Sequence, residues 1–185
     1  MHKVLINGQW QEANSSGTFH AFNPTTTEPL AEQFPVSTWA DVEQALDAAA
    51  TAFIELQKTS PAKIADFLEG FAANIEENSD QIRETAHVET ALPLDTRLVG
   101  ELGRTCGQLR AAATAVRNAS WRNPTIDSAT NIRSYLSSIG PVAVFGPNNF
   151  PLAFGSVSGG DFAACLLYTS PSPRDQRGSR MPSSA

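Results

Sequence analysis

The feature that most constrains this chain is an apolar run that stops at a turn and resumes as a second apolar stretch. Val142-Ala143-Val144-Phe145 is short and continuous, which is typical of a strand buried on both faces of a parallel sheet. It ends at the turn Gly146-Pro147-Asn148-Asn149-Phe150-Pro151, and the apolar stretch 152–164 follows. Because open α/β sheets bind ligands at the carboxyl ends of their strands, this βα unit predicts an α/β fold with its chemistry at the turn.

Extended segments precede the helices in the first part of the chain. Val4-Leu5-Ile6 followed by Asn7-Gly8 predicts a β-hairpin, and the stretches 19–23 and 29–36 predict two more strands. Later in the chain, alternation over 132–137 predicts a half-buried or edge strand. The polar stretch 121–129 before it predicts a connection.

Helical spacing dominates the region between residues 38 and 118. Thr38 and Asp41 form a capping box that predicts a helix to about residue 57. Ser60-Pro61 begins a second helix, whose predicted apolar face consists of Ile64, Phe67, Leu68, Phe71 and Ile75. Two more helices are predicted, over about 79–91 and about 94–118. The last of them contains three glycines that suggest close helix packing, at positions 100, 103 and 107.

The segment 165–185 is rich in Ser, Pro and Arg and lacks an apolar period, a composition that favours disorder. Its CLLYTSPSPRD resembles the forward translation of a transposase-type sequencing adapter, QRG a variable index, and SRMPSSA the primer that follows. On this interpretation the segment is artefactual and Ala164 is the last authentic residue. The alternative is a natural disordered tail.

Charge and cysteine usage exclude several classes of function. With 13 basic and 19 acidic residues, the net charge of −6 argues against nonspecific binding to nucleic acid or to an anionic membrane. No apolar stretch approaches the roughly 18 residues of a membrane span, and no secretory signal is found, so we predict a cytoplasmic protein. Cys106 and Cys165 lack ligand-spaced partners, which predicts no metal site.

Several motifs, in the right order, resemble the front third of an aldehyde dehydrogenase. They are ING-W, FNP, ADVEQALDAA, ETALP and IGPVAVFGPNNFPL. PNNFP stands where that family carries PWNFP, so Asn148 replaces the usual Trp. The resemblance implies that the contact with the cofactor is kept here without the packing of a Trp ring near the nicotinamide. GELGRTCGQLR and FPLAFGSVSGGDFAA look most like the branch that oxidises 2-oxoglutarate semialdehyde, close to NADP-dependent fatty aldehyde dehydrogenases.

The resemblance implies a fold class and a division of the chain. The fold expected is an aldehyde dehydrogenase-like α/β fold, of which only the N-terminal helical part and the first βα unit of the Rossmann-like cofactor domain are present. The divisions are strands and helices over 1–130, an oligomerisation-arm strand over 131–140, the βα unit over 141–164, and the tail. The parent enzyme is expected to be a homodimer or homotetramer.

The resemblance also implies the chemistry. In such enzymes a cysteine thiolate attacks the aldehyde substrate, an amide side chain and a backbone N–H hold the oxyanion, hydride passes to NADP or NAD, and a glutamate activates water. Asn149 matches the amide, and the residues expected to line the cofactor cleft are Phe145, Gly146, Pro147 and Asn148. Without the resemblance, Asn149 is more simply a turn former and the other four a strand end and a β-turn.

The family's nucleophile and general base lie beyond PWNFP, so the resemblance predicts that this chain lacks both and is inactive. Cys106, within a helical pattern and without a nearby His, is predicted to be a structural or surface thiol. The remaining candidates are predicted to be ordinary surface residues: His20, His87, Glu43, Asp47, Glu76, Glu77 and Asp80. Two alternatives stay open, a fatty or general aldehyde dehydrogenase and a noncatalytic helical interaction protein.

Overall fold

A computed structural model of the chain describes residues 1–155 and 157–167. Within this part the elements are β1 (Val4–Ile6), β2 (Gln9–Gln11), β3 (Ser15–Asn23), β4 (Glu28–Ser37), α1 (Trp39–Leu56), α2 (Pro61–Glu77), α3 (Ser79–Thr90), α4 (Val99–Asn118), β5 (Thr125–Asp127), β6 (Ile132–Ser134) and α5 (Gly160–Leu167). The predicted tail from residue 168 onward lies outside the described residues. Residues 165–167, the first three of the segment predicted to be a tail, belong to α5, so the helix continues past the boundary predicted at Ala164.

The first two hairpins follow the sequence pattern. β1 and β2 pair around Asn7 and Gly8, whose φ angles of 52° and 73° are the left-handed values that an Asn-Gly hairpin turn requires. β3 and β4 form a longer antiparallel pair, which contains both predicted strands, 19–23 and 29–36. These predictions are confirmed.

The third hairpin corrects two predictions. β5 lies inside the stretch 121–129, which was expected to be a connection, and it pairs with β6. The Asp127 carboxylate accepts hydrogen bonds from the Ala129 N–H at 2.9 Å and the Thr130 hydroxyl at 2.6 Å, which closes the turn between the strands. β6 ends at Ser134, so the strand predicted over 132–137 is shorter than expected.

The first helix lies close to its predicted bounds but is not held by the predicted capping box. The Thr38 side chain makes no capping hydrogen bond. Asp41 is buried and instead accepts hydrogen bonds from the Asn14 backbone N–H at 2.9 Å and the Asn14 side-chain amide at 2.8 Å. Its carboxylate is thus used to attach α1 to the chain that enters β3.

The main core lies between α2 and α4, with α5 against it. α2 begins as predicted, with the Ser60 hydroxyl accepting from the Lys63 N–H at 3.4 Å and Pro61 in the first turn. The buried cluster consists of Ile64, Ala65, Leu68, Ala72, Ile75, Leu102, Cys106, Leu109, Ala112, Ala113, Val116 and Ala163. Phe67, predicted to share the apolar face, is exposed and stacks on Phe71 at the edge of the core.

The fourth predicted helix begins with a π-helical turn, Leu94–Leu98, and continues as α4. A Cβ built at Gly100, Gly103 or Gly107 would meet no atom within 4 Å, so the close packing predicted there is wrong. These glycines are exposed because they lie on the side of α4 opposite its buried leucines.

The segment 135–147 has no regular secondary structure, so the strand predicted at Val142–Phe145 is not formed. A strand obtains its hydrogen bonds from neighbouring strands, and no strand among the described residues pairs with this one. The helix predicted over 152–164 is also divided. A short turn covers 151–154, and α5 starts at Gly160.

Candidate functional site

The turn predicted to carry the chemistry is present and packs against the start of α4. Asn148 and Asn149 lie in a turn, and the next residues form one helical turn, in which the Phe154 N–H donates to the Phe150 carbonyl at 3.2 Å. Pro151 occupies the beginning of that turn, where a missing N–H costs no hydrogen bond. The local sequence therefore produces a turn followed by the beginning of a helix.

The predicted site residues are brought together at the surface by this loop. Phe145 is 89% exposed, and the three residues from Gly146 to Asn148 are exposed as well. Asn149 is exposed too, and its side-chain amide makes no hydrogen bond within residues 1–155 and 157–167. Its backbone carbonyl accepts a hydrogen bond from Arg97 Nη2 at 2.9 Å, which links the loop to the helical region.

A buried carboxylate holds the beginning of the helical turn. Glu101, on α4, is only 4% exposed. Its Oε1 accepts hydrogen bonds from the backbone N–H groups of Leu152 at 2.9 Å and Ala153 at 3.1 Å. Its Oε2 accepts from Arg97 Nε at 3.2 Å. A carboxylate this deeply buried is tolerable because each oxygen has a hydrogen-bond donor.

Two arginines, one in the turn before α4 and one on α4, also cover the aromatic rings of this segment. The guanidinium carbon of Arg97 lies 4.0 Å from the centroid of the Phe150 ring, and that of Arg104 lies 4.9 Å from the Phe154 ring. The two rings contact each other edge to face, with centroids 5.3 Å apart. Cation–π contacts of this kind add to the hydrogen bonds that fix the loop on α4.

Sequence reasoning missed Arg97 and Glu101 as part of this site. One signal was available: Glu101 lies beside Leu102 and three residues after Leu98, so it interrupts the buried stripe of α4 with a charge. A charged residue on a buried helix face must find a partner, and an arginine four residues earlier supplies one. The partner groups at Leu152 and Ala153 are about fifty residues away in sequence and give no local signal.

Glycines after the turn allow a close approach that side chains would prevent. A Cβ built at Gly155 would overlap the Pro151 carbonyl oxygen, and one at Gly159 would lie 2.7 Å from the Gly155 backbone. At Gly160, the first residue of α5, a Cβ would lie 2.8 Å from the Gln108 side chain. Close packing is thus found in this loop rather than at the glycines of α4.

The other candidate residues have structural surroundings. Cys106 is buried in the core, its thiol lies 3.6 Å from the Ala72 carbonyl oxygen, and burial together with the nearby Glu76 charge raises its pKa. Cys165 is partly buried, which also raises its pKa. His20 and His87 each hydrogen-bond a backbone carbonyl, at 2.7 Å. Because burial raises the pKa of both Cys106 and Cys165, neither thiol has the electropositive, accessible setting of a reactive cysteine.

The acidic residues predicted to be surface residues are exposed: Glu43, Asp47, Glu76, Glu77 and Asp80. Across the described ranges, no three His, Cys, Asp or Glu side chains are grouped so that they could hold a metal ion. Among the helices of the same ranges, none combines the length and the apolar character needed to cross a membrane.

Comparisons with known proteins agree with this picture. Residues 10–167 match the aldehyde dehydrogenase family. The chain is 42% identical over 173 residues to an alpha-ketoglutaric semialdehyde dehydrogenase of Acinetobacter baylyi, covering 89% of this chain and 32% of that protein. It is 44% identical over 177 residues to alpha-ketoglutaric semialdehyde dehydrogenase 2 of Azospirillum brasilense, covering 90% and 33%. The chain thus spans about a third of the length of these curated relatives.

Solved structures give the same fold. The chain superposes on a NAD-dependent benzaldehyde dehydrogenase of Corynebacterium glutamicum with a TM-score of 0.77 and 26% identity, covering 91% of this chain and 36% of that one. The architecture is therefore a partial aldehyde dehydrogenase-like fold of mixed helices and strands, as the sequence predicted. By its sequence match and its fold, the chain belongs to the aldehyde dehydrogenase family.

Proposed function

We propose that Asn149 donates its side-chain amide to the oxyanion formed when the whole enzyme oxidises an aldehyde to a carboxylate. The observation that carries this proposal is an exposed amide on a backbone that is held at its own carbonyl and again three residues later. Arg97 holds the Asn149 carbonyl, and Glu101 holds the N–H groups of Leu152 and Ala153. A donor fixed in advance stabilises developing negative charge without reorganising, and this is what an oxyanion site requires.

The proposed reaction has two stages, the formation of a thioester and its hydrolysis. A thiolate forms a bond to the aldehyde carbon, and the carbonyl π electrons move to oxygen, where Asn149 donates its hydrogen bond. Collapse of the oxyanion to a thioester expels a hydride from the carbon, and NAD or NADP, when bound, would supply the acceptor for that hydride. Water displaces the thiol and releases the acid.

We infer that this chain alone does not catalyse the reaction. Neither described cysteine supports a nucleophilic role, because burial raises the pKa of both Cys106 and Cys165. The thiolate and the base that activates water would have to come from other parts of the enzyme. Asn149 and the residues around it would then form one side of a larger site.

The residues present fit only the nicotinamide end of the cofactor. A cavity of about 490 Å³ lies beside Phe145, between the segment 136–145 and α5, and its lining is mainly apolar. Its charged lining residue is Asp161, and no lysine or arginine lines it in the described part of the chain. Such a surface suits a flat ring but not the phosphates. Of the four predicted cofactor residues, Phe145 lines this cavity. Gly146, Pro147 and Asn148 follow it directly in the exposed loop, and we propose that they contact the nicotinamide from outside the cavity.

The substrate we propose is 2-oxoglutarate semialdehyde. Both curated relatives described above carry that activity in their names, and each is more than 40% identical to this chain.

We also propose that the whole protein is a homodimer or homotetramer. In support, Ile126 and Ile132 on the small hairpin β5–β6 are exposed, and its strands pair only with each other among the described residues, which leaves edges for another subunit.

A chimaeric enzyme tests the proposed substrate and the proposed inactivity of this chain alone. Residues 10–167 of this chain would replace the matching segment of the Acinetobacter baylyi relative, and reduced cofactor would be measured with NAD and NADP. We expect turnover of 2-oxoglutarate semialdehyde in preference to a long-chain aldehyde, and no sustained turnover by the 185-residue chain alone. Preference of the folded chimaera for the long-chain aldehyde would reject the substrate, and turnover by the chain alone would reject its inactivity.

A further inference from the structure

The backbone N–H groups of residues 152–154, in the helical turn after Asn149, all have hydrogen-bond partners. Pro151 has none, and the N–H groups of Leu152 and Ala153 donate to Glu101 Oε1. The Phe154 N–H donates to the Phe150 carbonyl. The first turn of a helix normally leaves such groups for a nearby capping residue or for water. Here the cap comes from a different helix, about fifty residues earlier in the chain.

The capping carboxylate is itself held in place. Arg97 Nε donates to Glu101 Oε2, while Arg97 Nη2 reaches the Asn149 carbonyl at 2.9 Å and the guanidinium covers the Phe150 ring. The two charged residues are one helical turn apart on α4 and its preceding turn, so they face the loop together. Together they contact the loop from Asn149 to Ala153.

The support beneath this pair is rigid. Leu98 and Leu109 are fully buried, and Thr105, one turn beyond Glu101, is buried with its hydroxyl bonded to the Glu101 carbonyl at 2.9 Å. Side chains on a packed helix transmit its position to what they bind, because the core cannot shift without losing contacts. The loop therefore takes its position from the α2–α4 core.

We propose that Glu101, aligned by Arg97, is a positioning residue that fixes the turn carrying Asn149. This role rests on the proposed function of Asn149, although the contacts that define it do not. It also has a consequence for the cofactor. The first N–H groups of a helix attract anions, and because Glu101 already occupies them, this turn cannot receive a cofactor phosphate.

Hydrogen exchange of the 185-residue chain at single-residue resolution tests the role without any catalysis. In Glu101→Ala, the amides of Leu152 and Ala153 should exchange roughly 10–100-fold faster, as expected for the loss of hydrogen bonds to a charged acceptor. Added formate, a small carboxylate, should fill the vacated position and restore slow exchange. The matched control is Glu76→Ala, which removes an exposed carboxylate bonded to Arg110 and should leave both amides unchanged.

A conservative variant gives a second measurement. Glu101→Gln keeps an oxygen that accepts hydrogen bonds, so Leu152 and Ala153 should exchange more slowly in this variant than in Glu101→Ala. Unchanged exchange of the two amides in Glu101→Ala would overturn the proposal. Faster exchange that formate does not slow again would also overturn it. This includes a result in which amides throughout the chain lose their protection from exchange. Failure of Asn149 as an oxyanion donor would instead appear in the chimaera and leave these exchange rates as predicted.

Discussion

The α2–α4 core and the segment 136–145 are both rich in apolar residues but differ completely in structure. In the core, Leu68 and Leu109 are fully buried against each other's helices. In the segment, Ile139 is 93% exposed and Phe145 is 89% exposed, and no strand forms. Helix hydrogen bonds are internal to each helix, whereas a strand needs a neighbouring strand. An apolar run therefore forms a strand only where another strand is close enough to pair with it.

The comparison predicts its largest contrast for truncations to alanine. Leu109→Ala removes buried methyl groups from the core and should lower the free energy of unfolding by about 2–5 kcal/mol. Phe145→Ala removes a larger side chain that is almost wholly exposed, and we expect a change within about 0.5 kcal/mol. Chemical denaturation of both variants measures this difference. Equal losses would show that the two regions do not differ as described.

The exposed segment should also govern self-association. Ile139, Val142 and Phe145 present apolar side chains to solvent, and a patch of this kind promotes association. Light scattering at micromolar concentration should detect aggregates of the chain, and Ile139→Lys should reduce them. Ile54→Lys, at an apolar position on α1 that is 56% exposed and has no part in either proposed contact, is the control and should have the smaller effect. A monodisperse, monomeric parent chain would contradict this expectation.

The features that the sequence predicted well are those with local causes. Asn7-Gly8 determines its turn through backbone conformation, and Ser60-Pro61 starts a helix through contacts within one turn. The failures involve distant partners. Asp41 bonds to Asn14 rather than capping its own helix, and Glu101 bonds to a loop about fifty residues later. Neither partner is visible in a local pattern, and spatial proximity had to be known first.

In the candidate site, too, the local feature was predicted and the distant contacts were not. The motif predicted Asn149 on a turn, and the structure has it on a turn that is exposed, but the residues that hold that turn were not predicted. The strand expected before the turn is absent because its hydrogen-bond partners would have to be other strands. A pattern of apolar residues indicates what a segment could pack against, not whether that partner is within reach.

The smallest predicted effect concerns pH and the ion pairs across the core. Hydrogen bonds from Arg117 to Glu69 and from Arg110 to Glu76 lower the pKa of both carboxyls below their usual value of 4.5. Since the folded-state pKa is depressed, this contribution to stability is present above pH 4.5 and is lost as the pH falls through the folded-state values. The melting temperature should therefore decrease on acidification, modestly because both groups are exposed.

A double variant isolates that contribution. Glu69→Gln with Glu76→Gln should flatten the acid side of the stability profile, whereas Glu77→Gln, beside them on α2, should leave its shape unchanged. Glu77 is exposed and forms no ion pair within the described ranges, so Glu77→Gln removes one negative charge from the same helix without removing an ion pair. If the stability of the double variant and that of the parent chain depend on acid pH identically, these ion pairs do not cause the acid dependence.

The most direct test of the central claim compares two neighbouring amides in the chimaeric enzyme. Asn149→Ala should lower kcat for 2-oxoglutarate semialdehyde by roughly 100–1,000-fold, the usual effect of losing one oxyanion donor, while cofactor binding stays near the parent value. Asn148→Ala removes the adjacent exposed amide, which we assign only to contact with the nicotinamide, and should lower kcat far less. If the two substitutions reduce kcat equally, or if Asn149→Ala leaves it unchanged, Asn149 is not the oxyanion donor.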